Sequence, residues 1–487
     1  MTTITTASAV PATTRRADAN TGRIIFALAF TGVIAAGMQS LIVPLLGQLP
    51  VLLHAAATGT AWAVTVTPLA SAVAIPIVGR LGDMLGRKPL IIVSLVPLVA
   101  GSIVCAMAGS LPVMIVGRGL QGLGMGIIPL GIALMREILP PQQLGSAVAA
   151  MSASMGVGGA LALPFAATIA QATSWRVMFW AFAALAGVGL VMVWLLKPAG
   201  QRGDAHARFD GVGAGLLAVG LIPLLLAVSQ GTTWGWTSLP TISCLVVGVV
   251  VLIGWVLFEL HARQPLVNLR SLISRTCSLT NVASMFVAFG MYAQSLVLPQ
   301  LFQLPTATGY GQGFTMLTMA LWYMPAGIAM MAISPVGARL TKVRGPKATL
   351  IVASLVMATG YGIAPLILHF AWGLTLMAVI VNVGTGMAFG AIPILIMGSV
   401  PARETAAANG LNTLIRNIGL SVGAAVIGLV LAQSGVLMGE HSAPSLTGFY
   451  LALALGCVAS LVAAAISVAL PGRQAGHPVF KLHATRQ

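Results

Sequence analysis

Two arginines of this sequence, Arg118 and Arg416, lie inside long apolar runs. Arg118 belongs to the segment 116–126 (VGRGLQGLGMG). A guanidinium is costly in an apolar solvent, so we expect Arg118 to face the protein interior or a wet cavity and to have a function. Gln121 and Met125 fall on roughly the same helical face as Arg118. The structural alternative is an arginine that is held only by main-chain carbonyls.

A second charged motif is the segment 79–88 (GRLGDMLGRK). It holds one carboxylate, Asp83, between Arg80 and Arg87, and glycines that include Gly79 and Gly86. The glycines are expected to let the backbone turn tightly and approach a neighbouring helix end. A plain solvated turn is the alternative interpretation of this segment.

The composition identifies the solvent in which these motifs lie. Only 7% of the residues are charged, 58% are hydrophobic, and the mean hydropathy is +0.99. A soluble domain carries about a quarter charged residues. Long continuous apolar runs, rather than short alternating segments, favour membrane-spanning helices over a barrel. The sequence therefore predicts an all-α polytopic membrane protein.

The apolar runs predict 14 spans. We place them near residues 22–47, 58–78, 89–109, 111–135, 145–170, 175–196, 211–229, 240–260, 277–303, 313–335, 348–368, 373–399, 407–433 and 446–470. If the N-terminus is cytoplasmic, 21 of the 24 basic residues fall on cytoplasmic segments. This bias predicts that both termini are cytoplasmic. It also explains the formal charge of +16 as a topology signal rather than a nucleic-acid site.

The connections divide the chain into two blocks of six spans. We expect a disordered cytoplasmic tail over residues 1–21 and a short tail over 471–487. A six-helix bundle over 22–196, a linker with two extra helices over 197–276 and a second bundle over 277–470 lie between them. Residues 337–347 (GARLTKVRGPK) occupy the place in the second block that 79–88 occupies in the first. Such internal symmetry is typical of transporters, with substrate sites between the repeats.

Several segments carry a resemblance to a known family. The segment 79–88 closely resembles the loop 2–3 signature of the major facilitator superfamily, and 116–126 resembles its span-4 signature. The segment 156–164 is similar to the glycine- and proline-rich span-5 signature of the exporter branches, from which it departs at Leu163, where a glycine is usual. The segments 175–180 and 410–412, with Arg416, are similar to the branch of drug:proton antiporters that have 14 spans.

The resemblance implies a function and several residue roles. It implies a secondary active exporter of amphipathic small molecules, in which two six-helix bundles rock about a central site. Asp83 would latch the cytoplasmic side, and Arg118 would couple the gate to protons or substrate. Gly79, Gly86, Arg87 and Glu137 are the other gating candidates.

The acids form a second departure from this branch. Span 1 carries the neutral Gln39 where the branch usually has an aspartate. In the predicted topology none of the eight acids lies mid-membrane, so the cavity should favour neutral or anionic substrates. Guanidinium keeps its proton. Asp83 is therefore the best candidate for proton coupling, and Glu137 is second.

The family fold also predicts which spans line the cavity. Their polar, aromatic or flexible side chains are the candidates for substrate contact, with packing between helices as the alternative role. The candidates are Gln39, Gln121, Met125, Tyr292, Gln294, Trp322, Tyr323, Asn382 and Arg416.

Other functions remain as alternatives. A facilitator or uniporter of a neutral or anionic metabolite, without proton coupling, fits the missing membrane carboxylates. A membrane scaffold is disfavoured by the intramembrane arginine. No catalytic set, phosphate-binding loop or metal cluster is evident, so we expect neither an enzyme nor a cofactor or metal. The expected partners are a small-molecule substrate, protons and the lipid of a bacterial inner membrane, and the expected state is a monomer.

Overall fold

The computed structural model describes residues 12–42, 45, 49–55, 57–60, 62–196, 209–262, 265–266, 269, 274–401, 404–438 and 441–471. This part of the chain contains 14 helices that are long and apolar enough to cross a membrane. The predicted number of spans is therefore confirmed. We number them span 1 to span 14 in chain order.

Each span corresponds to one helix or to two consecutive helices. The helices of spans 1–6 are Ala12–Ser40, Trp62–Leu85, Arg87–Ala106, Leu111–Leu123 with Ile127–Ile138, Pro141–Ala172 and Trp175–Leu195. Those of spans 7 and 8 are Gly211–Trp234 and Leu239–His261. Those of spans 9–14 are Arg275–Gln303, Met316–Ala332 with Ser334–Arg344, Pro346–Ile367, Ala371–Ser399, Thr405–Gln433 and Leu446–Val468. Short helices cover Leu49–Leu52 and Ala57–Thr60, and 3-10 turns cover Gly124–Gly126 and Thr306–Thr308.

Two local expectations were wrong. The first helix begins at Ala12, so residues 12–21 are helical rather than a disordered tail, while residues 1–11 lie outside the described residues. The expected turn over 79–88 is also mostly helix, because span 2 continues to Leu85. Only Gly86 leaves the helical conformation, with φ of 101°, a value that a residue with a Cβ rarely adopts.

The spans pack as two bundles. In the first, span 1 packs on span 5, span 2 on span 4, and span 3 on spans 4 and 6. In the second, span 9 packs on spans 13 and 14, span 10 on span 12, and span 11 on spans 12 and 14. The bundles meet where span 2 crosses span 13 and where span 5 packs against spans 10 and 12. The division of the chain into domains stays a prediction.

The two extra helices form a pair at the side of the bundles. A Cβ on Gly248 of span 8 would lie 2.8 Å from the backbone nitrogen of Leu224 in span 7, so the two helices are in close contact. The hydroxyl of Ser229 in span 7 is hydrogen-bonded to the hydroxyl of Thr65 in span 2, with 3.0 Å between the two oxygens. Span 8 exposes large apolar side chains such as Val250, which is 61% exposed. This surface suits lipid contact.

The two blocks repeat one structural device. Gly86 precedes span 3 and Gly345 precedes span 11, and both have a positive φ. The Lys88 ammonium donates to the carbonyls of Trp194 and Leu196 at the end of span 6. The Lys347 ammonium donates to those of Val468 and Leu470 at the end of span 14. The internal symmetry predicted from 79–88 and 337–347 is therefore confirmed.

The end of the molecule that holds these lysines is called the basic face. It is defined by Arg80, Arg87, Lys88, Arg136, Arg339, Lys342, Arg344 and Lys347. At the opposite end the described residues include a short antiparallel pair, β1 (Gly435–Met438) and β2 (His441–Pro444). The Tyr310 hydroxyl donates to the Pro444 carbonyl at 2.7 Å and ties this pair to the segment before span 10.

The crossing of spans 3 and 4 allows a test of the packing. A Cβ on Gly101 would lie 2.5 Å from the Gly117 carbonyl oxygen and 2.7 Å from the Gln121 nitrogen. We expect Gly101→Leu to lower the melting temperature of the purified protein in detergent, because overpacking costs about 1–3 kcal/mol or more. Gly187→Leu is the matched control, since a Cβ there has no heavy atom within 4 Å. Equal melting shifts for the two variants would contradict this packing.

Candidate functional site

Asp83 connects the two bundles at the basic face. Its side chain is 2% exposed and lies 3.2 Å from Nη2 of Arg87. The carboxylate also accepts the backbone N–H groups of Ala406 at 3.4 Å and Ala407 at 3.1 Å. These two groups begin span 13, so a first-bundle carboxylate binds the N-terminus of a second-bundle helix. The charge is favourable there because N–H groups and the helix dipole both point toward it.

Arg87 extends this contact to span 4. Its Nη1 donates to the Ala133 carbonyl at 2.8 Å and to Oε2 of Glu137 at 3.1 Å. One buried guanidinium therefore holds two carboxylates, Asp83 and Glu137, from two different spans. The structure brings together three of the gating candidates predicted from sequence.

Small residues permit the approach of spans 2 and 13. A Cβ on Gly79 would lie 2.9 Å from the Ala406 carbonyl oxygen. One on Gly410 would lie 3.2 Å from the Ile75 carbonyl oxygen. Gly79 therefore serves a helix crossing rather than a turn. The approach to a neighbouring helix end, which was expected of the glycines in 79–88, is confirmed for Gly79.

Arg136 forms a second contact between the bundles that sequence reasoning missed. It donates to the Thr405 hydroxyl and, at 3.4 Å, to the Val400 carbonyl. Both acceptors flank the start of span 13. From the sequence, Arg136 was interpreted only as one of the basic residues that set the topology. Nothing in the sequence specified its hydrogen-bond partner.

Further hydrogen bonds join the bundles in the same half of the molecule. The Ser152 hydroxyl of span 5 donates to the Phe389 carbonyl at 2.7 Å, and the Ser334 hydroxyl donates to the Ala149 carbonyl at 3.2 Å. Counted along its helix, Ser152 lies within about 17 Å of the basic face. Among the described residues, every side-chain hydrogen bond between spans 1–6 and spans 9–14 lies in this half. The interface is therefore closed at the basic face.

Arg118 is fully enclosed in the first bundle. It is 1% exposed, and its donors bind the carbonyls of Ala63 at 3.0 Å and Met38 at 2.8 Å. Nη1 also donates to Oε1 of Gln121 at 2.7 Å, and Gln121 donates to the Ser102 hydroxyl at 2.9 Å. No carboxylate pairs with Arg118 in the described part of the chain. The positive charge is therefore compensated by oxygen atoms of spans 1, 2 and 4, which are two main-chain carbonyls and the Gln121 side chain.

The remaining first-bundle candidates form a second contact. Nε2 of Gln39 in span 1 lies 3.7 Å from the sulfur of Met125 in the 3-10 turn of span 4. Gln121 is buried with Arg118, and Met125 is 4% exposed. The expectation that Gln121 shares a face with Arg118 is confirmed, whereas Met125 pairs with Gln39.

The second-bundle candidates separate into different environments. The Tyr323 hydroxyl of span 10 lies near the side chains of Ser295 and Asn382, so the structure brings two predicted residues together. Gln294 is 0% exposed, and neither atom of its amide has a hydrogen-bond partner among the described residues. Tyr292 lies beside Gly423 of span 13. Trp322 is 38% exposed and packs on Phe314 in the segment that precedes span 10, with ring centroids 5.8 Å apart.

Arg416 lies in the second bundle in span 13. Its guanidinium carbon is 4.8 Å from the centroid of the Phe389 ring of span 12. Asn412, one turn earlier, donates to Asn281 of span 9 at 2.9 Å. The two intramembrane arginines predicted from sequence therefore have different surroundings, carbonyl oxygens at Arg118 and an aromatic face at Arg416.

The described acids lie near helix ends, as the sequence predicted. Asp83 and Glu137 lie near the ends of spans 2 and 4 at the basic face. Glu259 is two residues from the end of span 8, and Asp210 and Glu404 directly precede spans 7 and 13. The mid-span charges among the described residues are therefore arginines. The arrangement can hold the basic face closed, and it presents positive charge within the bundles.

Comparisons with known proteins place the chain in a family. A model of the Major Facilitator Superfamily matches residues 28–424. The multidrug transporter protein MdtP of Bacillus subtilis (strain 168) is 26% identical over 79% of this chain and 71% of its own length. The tetracenomycin C resistance and export protein of Streptomyces glaucescens is 26% identical over 78% of this chain and 70% of its own length.

A solved structure has the same fold. The crystal structure of the human organic anion transporter MFSD10 (TETRAN) aligns with a TM-score of 0.63 at 16% identity, over 92% of this chain and 99% of that one. This likeness supports the fold alone. The family match, the 14 spans and the two packed bundles lead to one conclusion: this chain belongs to the Major Facilitator Superfamily.

Proposed function

We propose that this protein is a proton-coupled exporter of amphipathic small molecules that works as a monomer by alternating access in a bacterial inner membrane. The observation that carries the proposal is the contact of Asp83 with Ala406 and Ala407. It joins the two bundles at the basic face through a buried charge. The names of the bacterial relatives, a multidrug transporter and an antibiotic export protein, support the direction and the substrate class.

The orientation follows from the basic residues. Arg80, Arg87, Lys88 and Lys347 lie at the face where the bundles meet. Positive loops stay on the cytoplasmic side, so this face is cytoplasmic. In this orientation the contacts between the bundles close the cytoplasmic side.

Opening to the cytoplasm requires the bundles to part at the basic face. Asp83 then loses the N–H groups of Ala406 and Ala407, and Arg136 loses Thr405 and Val400. Hydrogen bonds to charged groups contribute about 1.5–3 kcal/mol each. The closed state is therefore stabilised by several kcal/mol, which the binding of a substrate or a proton can offset.

Asp83 is the proposed proton carrier. A proton on this carboxylate removes its charge, which weakens both the Arg87 pair and the contact with the start of span 13. Glu137 remains on Arg87, so the guanidinium keeps one partner when Asp83 is neutral. Arg118 retains its proton and holds spans 1, 2 and 4 in one arrangement.

A facilitator of a neutral or anionic metabolite is the second candidate function. The position of the described acids favours it, because Asp83, Glu137 and Glu259 lie near helix ends rather than in mid-span. Such a protein would use the same closed contact and move substrate without protons.

A disulfide can test the closed state. A Cβ on Gly390 would lie 3.8 Å from the Cβ of Ala149, across the bundle interface. This separation matches the mean for disulfides. In a background without the four native cysteines, we expect Ala149→Cys with Gly390→Cys to crosslink under mild oxidation. The crosslink should stop transport in vesicles, and a reductant should restore it.

Each single cysteine variant is the control for this pair. Both should transport before and after oxidation. A double variant that crosslinks fully and still transports would show that the bundles do not part at this face.

Proton movement tests the coupling. In everted vesicles with a preformed pH gradient, we expect a panel of amphipathic compounds to evoke proton release from the wild type. Asp83→Asn should abolish the release and should still insert in the membrane. Asp210→Asn is the matched control, because Asp210 caps its own helix through the Gly213 N–H at 2.8 Å and spans no bundle interface.

Arg118→Ala should also abolish proton release, since it leaves the carbonyls of Met38 and Ala63 without their donor. Transport of a compound without proton movement in the wild type would favour the facilitator. Proton release in Asp83→Asn at the wild-type rate would remove Asp83 from the coupling step.

Reporter fusions test the orientation. We expect a fluorescent protein fused after residue 471 to fold in the cytoplasm and emit, because an even number of spans returns the C-terminus to the side of the N-terminus. Alkaline phosphatase at the same site should be inactive, and at the connection between spans 13 and 14 it should be active. The reverse pattern would invert the proposed topology.

A further inference from the structure

We propose that Arg416 and Phe389 form the binding site for the negative group of an aromatic monoanion, a carboxylate or a sulfonate. This inference rests on the proposed function and names the substrate class of its central site. The geometry that points to it is an intramembrane guanidinium that lies on an aromatic ring, with its hydrogen-bond donors uncommitted within the described part of the chain.

The contrast with Arg118 shows what is unusual at Arg416. Arg118 has carbonyl acceptors at 2.8 and 3.0 Å and a glutamine acceptor at 2.7 Å. Arg416 is 9% exposed, and it has no hydrogen bond or ion pair to any described residue. A charge in the membrane interior that the chain itself leaves uncompensated marks a functional position.

The Phe389 ring orients the guanidinium. The guanidinium carbon lies 4.8 Å from the ring centroid, within the range of a cation–π contact. The five N–H donors of an arginine form a rigid planar fork that matches the oxygens of an oxyanion. Because one face of the guanidinium packs on the Phe389 ring, the N–H donors at its edges can bind a ligand. Phe389 itself is held because its carbonyl accepts from Ser152.

Neither the described part of the chain nor a lipid headgroup supplies an anion at this depth. The described acids lie near helix ends, and Glu404 precedes the start of span 13. Arg416 is eleven residues after Thr405, about 17 Å along the helix. The hydrocarbon core is about 30 Å thick, so headgroup phosphates lie well away from mid-span. The anion must therefore come from the space between the bundles.

The surroundings select an aromatic monoanion. One arginine balances one charge. The neighbouring polar group, Asn412, is already bonded to Asn281 at 2.9 Å. Phe389 offers an apolar ring beside the charge, and an apolar pocket with few polar groups suits a flat hydrophobic body. A dication would meet positive charge at this position.

Two compounds of the same shape test the charge preference. The probes are 2-naphthoate and 2-naphthamide, which share a ring system and differ in charge. We expect wild-type proteoliposomes to transport naphthoate about tenfold faster than naphthamide. A ratio of this size corresponds to the free energy that one hydrogen bond to a charged group contributes. Arg416→Gln should reduce the ratio of the rates to about one and retain the naphthamide rate, because the uncharged compound makes no use of the charge. Arg416→Lys should retain part of the preference.

Arg344→Gln is the matched control, since Arg344 is exposed at the basic face and the change removes the same charge. It should leave the ratio unchanged. A thermal-shift measurement with the two probes on the purified protein reports binding separately from transport. Naphthoate should stabilise the wild type and Arg344→Gln, and should not stabilise Arg416→Gln.

The outcomes separate this inference from the proposed function. An unchanged ratio in Arg416→Gln, or a wild type that prefers naphthamide, overturns the anion site and leaves export standing. If naphthoate stabilises the wild type through Arg416 but neither probe is transported, the site stands and the export proposal fails. If naphthoate is neither bound nor transported, the anion site is wrong.

Discussion

The structure depends on one constraint, which is that every charge carried into the helices must be compensated. Hydrocarbon offers no hydrogen bonds, so each buried charge needs partners from the protein or from a ligand. Asp83 is compensated by Arg87 and by the first N–H groups of span 13. Arg118 is compensated by carbonyls of spans 1 and 2. The spans around Asp83 and Arg118 are therefore placed so that their N–H and carbonyl groups reach these charges.

This constraint also separates stable contacts from breakable ones. The partners of Arg118 belong to a single bundle, so rocking of the bundles does not disturb them. The partners of Asp83 belong to both bundles, so rocking changes them. A carboxylate with one permanent and one conditional partner suits a gate, because its second contact exists only in the state closed at the basic face.

Much of the fold could be predicted from the sequence. Long apolar runs specified the spans, because length and hydropathy are properties of a single segment. Segments 79–88 and 337–347 specified the internal symmetry, since Gly86 and Gly345 mark the two turns directly. The partners of Asp83 and Arg136 could not be predicted, because the backbone of Ala407 and the hydroxyl of Thr405 are more than 260 residues away along the chain. The helical state of 79–85 was missed because glycines suggest turns, whereas here Gly79 serves a helix crossing.

The carbonyl partners of Arg118 have a consequence for how this protein can evolve. Every residue type offers a main-chain carbonyl, so the side chains at positions 38 and 63 can change without loss of the hydrogen bonds from Arg118. Selection at this contact acts on the paths of the helices rather than on residue identities. Correlated substitutions, which reveal many contacts in protein families, carry no signal for a bond of this kind, so the contacts of Arg118 with positions 38 and 63 would leave no trace in an alignment.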